Sequence, residues 1–533
     1  VRRIPAAARA GPPVVAAYPN AYRVGMSNLG FQRLLELLSE QPLTVDRVFL
    51  PSARQLSGDP DGRGAPLQTL DLGMPLDRAR AVLFSVAFEP DYVGLAQLLI
   101  LGGVEPRARR RRATAPLVIA GGLAPTLNPE PLAPLCDLLG IGEAEALLPP
   151  LLELLLDEPS RERLLERCQQ LPGWYVPALD GDPPRRRVTR QAAEPLVRPA
   201  YPAVLASRAA FSNHVDVEIS RGCRWRCRFC AAGHVVTPYR ELDLEQLRPA
   251  LSWGLEQRGR VGLVGTDVSD HSGLESIARW VRERGGELAL PSLRAAAVAR
   301  SDGPLRRLIQ DRPPRTLTLA VESATEDLRC ALNKRLSHDE LLRAARAAAG
   351  AGVQRLKVYL LAAVPGERQQ DLEAMVDLAL ELVDCGPPGP LTLSVTGLVP
   401  KPGTPLQWEP APDRHYLRQA RGLLRSRLPG GRVELAFESP DWTRWQALLS
   451  LGGREVADLL LAAAEQGWRK VLARAAARTP LLQGRPRDPQ QPLPWDFLDR
   501  GYPDEVLWRE RESCRARRYV PPALIQRDPP PVK

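Results

Sequence analysis

The chain has 533 residues, 44% hydrophobic and 25% charged, with 8 cysteines and a net charge of +10 at pH 7. That length calls for two or three domains and more than one buried core. The few, unevenly spread cysteines exclude a secreted disulfide framework and point to a reducing, cytoplasmic setting. No run reaches the roughly 18 uncharged apolar residues that a membrane span needs, and Val1-Arg-Arg-Ile-Pro5 has no apolar core of a secretion signal. The positive charge is almost all arginine, with only five lysines beside 54 prolines. We read this as compositional bias rather than a phosphate-binding design, so a nucleic-acid partner is disfavoured.

The first 160 residues alternate β-rich apolar runs with helical patterns, as parallel α/β sheets do. The expected strands are Val14–Tyr18, Val45–Leu50, Ala81–Phe88, Leu117–Ala120 and Leu138–Ile141, with helices over Leu29–Leu38, Tyr92–Leu101 and Glu145–Leu156. The arginine run Arg107 to Arg112 reads as a solvated connection. Gly121-Gly122 and Gly140-Ile-Gly-Glu143 close two of the strands, where open sheets of this kind bind ligands. A stretch rich in proline and arginine, Gly173 to Pro202, reads as a linker with short hairpins. A second series then offers six strands: Val215–Ile219, Val261–Val264, Leu288–Leu290, Thr316–Val321, Lys357–Ala363 and Leu391–Val399. Beyond Gly431 a short strand Val433–Phe437 precedes mainly helical patterns, and Pro521–Lys533 is expected to be disordered.

The most informative segment follows the first strand of the second series: Cys223, Cys227 and Cys230, spaced CxxxCxxC. Three thiolates can hold three corners of a four-iron cluster, which normally takes four, and leave one iron open to a ligand. Zinc bound by the same triplet with His234 is the alternative, and it would make the protein a non-catalytic binder.

The spacing and its setting resemble the radical S-adenosylmethionine (SAM) superfamily. The N-terminal segments Tyr18–Gly30, Leu117–Gly122 and Ile141-Gly-Glu143, with Leu398-Val-Pro-Lys-Pro402 and Leu493-Pro-Trp495, resemble a fused subgroup with a cobalamin-binding-like domain. The resemblance implies an α/β fold of four parts. These are a Rossmann-like domain (1–172), a linker (173–208), a partial (β/α)₆ TIM-type barrel (209–430) and a mainly helical C-terminal region (431–533). It also implies a 4Fe-4S cluster on Cys223, Cys227 and Cys230, with SAM on the open iron. SAM is cleaved reductively to a 5′-deoxyadenosyl radical that abstracts hydrogen from a substrate the sequence does not name. An electron donor such as flavodoxin or ferredoxin would be the partner.

By the same resemblance Phe229 lies against the adenine, and Glu322 and Ser323 lie against SAM. A carboxylate ending an apolar strand also needs a partner on physical grounds. Gly366 would let backbone approach the adenosyl group, with Glu367 starting the next helix and Lys401 over the barrel mouth. Where the superfamily often shows Gly-Gly-Glu, this chain has Val264-Gly-Thr-Asp267, so Thr266 or Asp267 would supply that contact. Gly121, Gly122, Gly142 and Glu143 would rim a nucleotide or corrin, or serve as plain turns. Cobalamin is the candidate second cofactor and would bring methyl transfer. The first histidine is His214, so a corrin would bind without histidine on cobalt. A methylthiotransferase, the other enzyme reading, wants three more cluster cysteines near the N-terminus, where only Cys136 and Cys168 occur. Cys330 and Cys385 read as helix-packing thiols.

Overall fold

The computed structural model describes residues 2–4, 11–51, 67–191, 195–300, 303–476, 479–484 and 486–517. The tail Pro521–Lys533, expected to be disordered, lies outside them.

The N-terminal sheet has six strands in the order Thr44–Leu50, Pro13–Ala21, Ala81–Ser85, Leu117–Gly121, Leu138–Gly140 and Trp174–Tyr175. All neighbours are parallel except the last pair. Successive side chains of a strand point to opposite faces, and here both faces are covered. Val14 and Ala16 share one core with Leu34, Leu38, Leu147 and Leu151 of helices Leu29–Ser39 and Ala144–Asp157. Val15 and Ala17 share the other with Leu95 and Leu99 of helix Asp91–Leu101. Burial on both sides is why these strands read as near-continuous apolar runs. Helix Leu29–Ser39 starts where it does because the Asn28 side chain accepts a bond from Phe31 N at 2.9 Å.

The second face also receives the C-terminal region. Trp445, Leu448, Leu460 and Trp495 are fully buried in the same core as Val15 and Phe84. Helices Pro440–Leu451 and Val456–Gln466 therefore complete the N-terminal domain's outer layer rather than forming a unit of their own. The stretch read as a hairpin linker behaves differently from that reading. Trp174–Tyr175 joins the N-terminal sheet, and Val188–Thr189 pairs in parallel with Leu498–Asp499.

The second sheet system holds the six strands read from the sequence, all parallel: Val215–Glu218, Arg260–Val264, Glu287–Ala289, Thr316–Glu322, Arg355–Ala362 and Leu391–Gly397. A parallel bridge between Leu293 and Leu319 joins the third to the fourth. A seventh strand, Val433–Phe437, pairs in parallel with the sixth and so extends the barrel past residue 430. Helices Leu244–Arg258 and His338–Gly350 each begin at a capping box, Asp243 with Gln246 and Ser337 with Glu340. On the fifth strand Leu356, Val358, Leu360 and Ala362 are buried against the helices, while Lys357, Tyr359 and Leu361 alternate with them and are only half-buried. By the pleat these face the barrel interior. Among the described residues no helix is long and apolar enough to cross a membrane.

Candidate functional site

The first barrel strand ends at Glu218, and Ser220–Arg221 then pairs antiparallel with Arg240–Glu241. This short ladder pinches the base of a loop that carries all three cysteines. Gly222 has φ +84°, and a Cβ on it would collide with the Val236 carbonyl oxygen; a Cβ on Gly233 would stand 2.8 Å from Arg226 Cα. Glycine takes such a φ without steric cost. Gly222→Ala is expected to destabilise the protein by about 1–3 kcal/mol, as thermal unfolding will show. The loop is also held from outside. Asn333 Nδ2 donates to the carbonyls of Trp225 and Arg226, both at 3.0 Å, and Arg228 N donates to Leu332 O at 3.0 Å.

Cys227 is buried, and Cys223 and Cys230 are half-buried. Burial raises all three thiols above their ordinary pKa, Cys230 to about 12. The other cysteines add to the shift at Cys223 and Cys230, whereas Lys334 and Arg294 oppose it at Cys227. Thiols in this setting become thiolates when a cationic centre displaces their protons. Among the described residues no three His, Cys, Asp or Glu side chains are drawn in to the spacing of a single metal ion. His234, the fourth ligand a zinc site would use, is buried with its Nε2 3.2 Å from the Cys227 carbonyl oxygen. Burial holds it near pKa 4, hence neutral.

The fourth barrel strand brings Glu322 and Ser323 to this loop. Glu322 has φ +74° beside a register shift in the ladder, a strained position of the kind found at functional sites. The partner its carboxylate needs is Lys334, 3.0 Å away, and both charges act on Cys227. Ser323 is 1% exposed, and among the described residues its Oγ has no hydrogen-bond partner. Of the two candidates after the second strand, Thr266 is exposed and Asp267 is buried. Asp267 caps Ser269 N at 3.1 Å, lies 3.6 Å from Arg294 and acts on Cys223. Arg294, which the sequence reading missed, stacks 3.7 Å over the Trp225 ring and donates to Lys334 O at 3.0 Å.

Phe229 is half-buried and packs on a buried cluster that includes Val364 and Leu398, just past the fifth and sixth strands. Gly366 faces the C-terminal helix. Its carbonyl accepts from Arg517 Nη2 at 2.6 Å, and a Cβ on it would stand 3.1 Å from Arg515 O. Glu367 does not start the next helix, which begins at Gln369. It folds back to accept from Ala363 N and the Tyr416 hydroxyl, each at 2.6 Å, and burial lifts its carboxyl to about 7. Lys401 reaches the N-terminal domain, pairing with buried Glu89 at 2.6 Å.

Between the two domains lies a cavity of about 280 Å³. Gly121, Gly122, Gly142 and Glu143 rim it at the carboxyl ends of the N-terminal strands, and Arg221 and Val236 close it from the barrel side. Gly122 is at φ +116°, where a Cβ would stand 2.5 Å from Val86 O; a Cβ on Gly121 would meet nothing within 4 Å. Gly121 thus keeps open space that neither backbone nor packing requires. Leu34, Leu148 and Trp174 carry the apolar wall inward between sheet and helices. The cavity's charged wall is a network crossing the domain boundary. Arg221 bonds Glu218 at 2.8 and 2.9 Å, Glu143 at 2.6 Å and Glu145 at 3.1 and 3.2 Å. Arg240 also pairs with Glu143, and Arg33 with Glu145 at 3.1 Å. Arg221 lies two residues before Cys223, so one side chain is shared between the cavity and the base of the cysteine loop. Its adjacency to the cysteines was the only signal in the sequence.

Comparison with known proteins agrees with this architecture. Residues 30–177 match the N-terminal domain of radical SAM proteins, and residues 217–379 match the radical SAM superfamily domain. The uncharacterized protein MJ0966 of Methanocaldococcus jannaschii is 25% identical over 401 residues, covering 74% of this chain and 79% of its own. Among solved structures, the cobalamin-dependent S-adenosylmethionine radical enzyme OxsB, with aqua-cobalamin and S-adenosylmethionine bound, superposes with a TM-score of 0.50 at 13% identity. The superposition covers 87% of this chain and 72% of that one, a likeness of fold. With its N-terminal domain and its barrel both matched in order, the chain belongs to the radical SAM superfamily.

Proposed function

We propose that the protein is a radical SAM enzyme in which Cys223, Cys227 and Cys230 hold a 4Fe-4S cluster and SAM binds the open iron beside Ser323. The observation that carries this reading is the buried, unpartnered Ser323 Oγ at the end of the fourth strand, in a wall whose charges act on the cysteines. A buried hydroxyl without a partner costs free energy unless a ligand supplies one. When bound, the cluster supplies the electron that splits SAM into methionine and a 5′-deoxyadenosyl radical for hydrogen abstraction.

The chain's own residues hold and shield this chemistry. Ser323 Oγ and the Asp267 carboxylate offer polar contacts to SAM, and Phe229 offers an apolar wall. The Lys334–Glu322 pair fixes the strand end that faces Cys227, and the C-terminal helix closes the loop from water. A one-electron donor such as flavodoxin or ferredoxin would be the partner that supplies the electron.

We assign the interdomain cavity to a corrin. The open space over Gly121 and the apolar wall at Trp174 would meet part of the flat ring, and the charged wall at Arg221 and Glu143 its polar amide rim. Among the described residues no histidine lines that cavity, so contacts to a corrin would come from the side chains that do line it, Trp174 and Arg221 among them. When bound, it would supply methyl-transfer chemistry. Anaerobically reconstituted protein with dithionite and SAM is expected to release 5′-deoxyadenosine, and absence of that product refutes the assignment. After incubation with hydroxocobalamin and gel filtration, the wild type is expected to retain corrin absorbance. Gly121→Leu, which fills open space, should lose it while keeping its iron. Equal retention by both removes the corrin from this cavity.

A further inference from the structure

We infer that the C-terminal helix Asp504–Arg515 is the brace that positions the cysteine loop, acting through the ion pair Arg228–Glu510; this rests on the cluster reading of Cys223, Cys227 and Cys230. Arg228 stands in sequence between two of the ligands, Cys227 and Cys230. An arginine on a loop ordinarily reaches into water, yet this one is 0% exposed. Its Nε donates to Glu510 Oε2 at 2.6 Å and its Nη1 to Ala331 O at 2.6 Å. The two partners are 282 residues apart in sequence.

The rest of the helix makes the same kind of contact around the barrel mouth. Cys514 is buried with Leu332, Val364 and Leu398, and Phe229 packs on that cluster. Arg511 Nε donates to Glu409 Oε1 at 2.6 Å, beyond the sixth strand. Arg517, just past the helix, holds the Gly366 carbonyl beyond the fifth. One terminal element thus ties the loop after the first strand to the loops after the fifth and sixth. A buried guanidinium is stable only with its counter-charge in place. The backbone between Cys227 and Cys230 therefore cannot move without dragging that charge from Glu510. Glu510 is a positioning residue: it touches no cofactor and acts through Arg228.

The test uses the full chain, reconstituted anaerobically, with two readouts that need no turnover. One is the half-life of iron during challenge with a ferrous chelator; the other is the electron paramagnetic resonance (EPR) spectrum of the dithionite-reduced cluster without SAM. Glu510→Gln is expected to lose iron at least tenfold faster than wild type and to show a broadened spectrum. Glu510→Asp is expected to recover most of the difference. The double variant Arg228→Met with Glu510→Met leaves no buried charge unpaired but also removes the tie, and is expected to lose iron at least tenfold faster than wild type, as Glu510→Gln does. The brace is overturned if Glu510→Gln matches wild type in both readouts, or if the double variant holds iron as wild type does, which would make an unpaired charge rather than a lost tie the cause. A wild type that takes up no iron overturns the cluster reading itself, and the brace with it, which keeps the two failures apart.

Discussion

Cys227→Ala is expected to give a folded chain with no iron–sulfur absorbance and SAM cleavage at background. Cys227 is the most enclosed of the three cysteines, 8% exposed, with its Sγ 3.9 Å from Asn333 O and the charges of Lys334, Arg294 and Glu322 acting on it. On the proposed reading one iron already lacks a protein ligand, so two thiolates would have to hold the whole cluster. Removing a group that merely supports a metal ligand costs about 10–100-fold, and removing the ligand must cost more. Trimming one sulfur atom should destabilise the fold by only about 1 kcal/mol. Iron assay, visible absorbance and 5′-deoxyadenosine release measure the effect, with far-ultraviolet circular dichroism reporting the fold. Cys330→Ala and Cys385→Ala, which alter partly exposed thiols, the second packed on the barrel core, should behave as wild type. Retention of SAM cleavage in Cys227→Ala would remove the triplet from the mechanism.

Arg221→Met is expected to have the largest effect on stability, about 3–5 kcal/mol, because it strips the counter-charge from Glu218 and leaves Glu143 and Glu145 with only Arg240 and Arg33. Their side chains are 14–22% exposed, so water replaces the guanidinium poorly. Burial alone would raise the Glu145 carboxyl, but the charge and hydrogen bonds of Arg221, with the charge of Arg33, hold it at about 2 against an ordinary 4.5. A carboxyl whose pKa is lower folded than unfolded binds more protons in the unfolded state. Its stabilisation is therefore complete above about pH 4.5 and is lost as pH falls toward 2. The wild type should lose stability steeply through that interval, and Arg221→Met should show a shallower slope there as well as a lower plateau near pH 7. Urea unfolding at stepped pH measures both. Parallel curves displaced by a constant amount would contradict the assignment of the acid transition to this network.

Much of the fold was legible because it is written in short-range pattern. The alternation along Leu356, Val358 and Leu360 marks a strand with helices on one side, and the apolar run Val14–Ala17 marks one with both faces covered. The cysteine spacing survives folding as a single loop, and Gly122 sits where only a residue free of a Cβ fits. What escaped the sequence is pairing across distance, which leaves no periodic trace. Val433–Phe437 was placed in the C-terminal region, yet its partner is the sixth barrel strand. Trp174–Tyr175 lies in a proline- and arginine-rich stretch that resembles a linker, and it is Leu138–Gly140 that makes it a strand. Thr266 and Asp267 are chemically equivalent candidates until Arg294 draws the aspartate inward. Glu322 needed a partner on first principles, but nothing local named Lys334. Arg221 and Arg228 were lost among many arginines, since only their distant carboxylates distinguish them. Trp445 and Trp495 of the C-terminal region are fully buried, and the core they fill is the N-terminal domain's.

The most direct measurement of the central claim is EPR of the anaerobically reconstituted, dithionite-reduced protein, recorded before and after SAM is added and paired with metal analysis. The account predicts about four iron atoms per chain and a reduced-cluster signal whose g values shift when SAM takes the open iron. A protein that carries one zinc and no iron, or a cluster whose spectrum is indifferent to SAM, would contradict it.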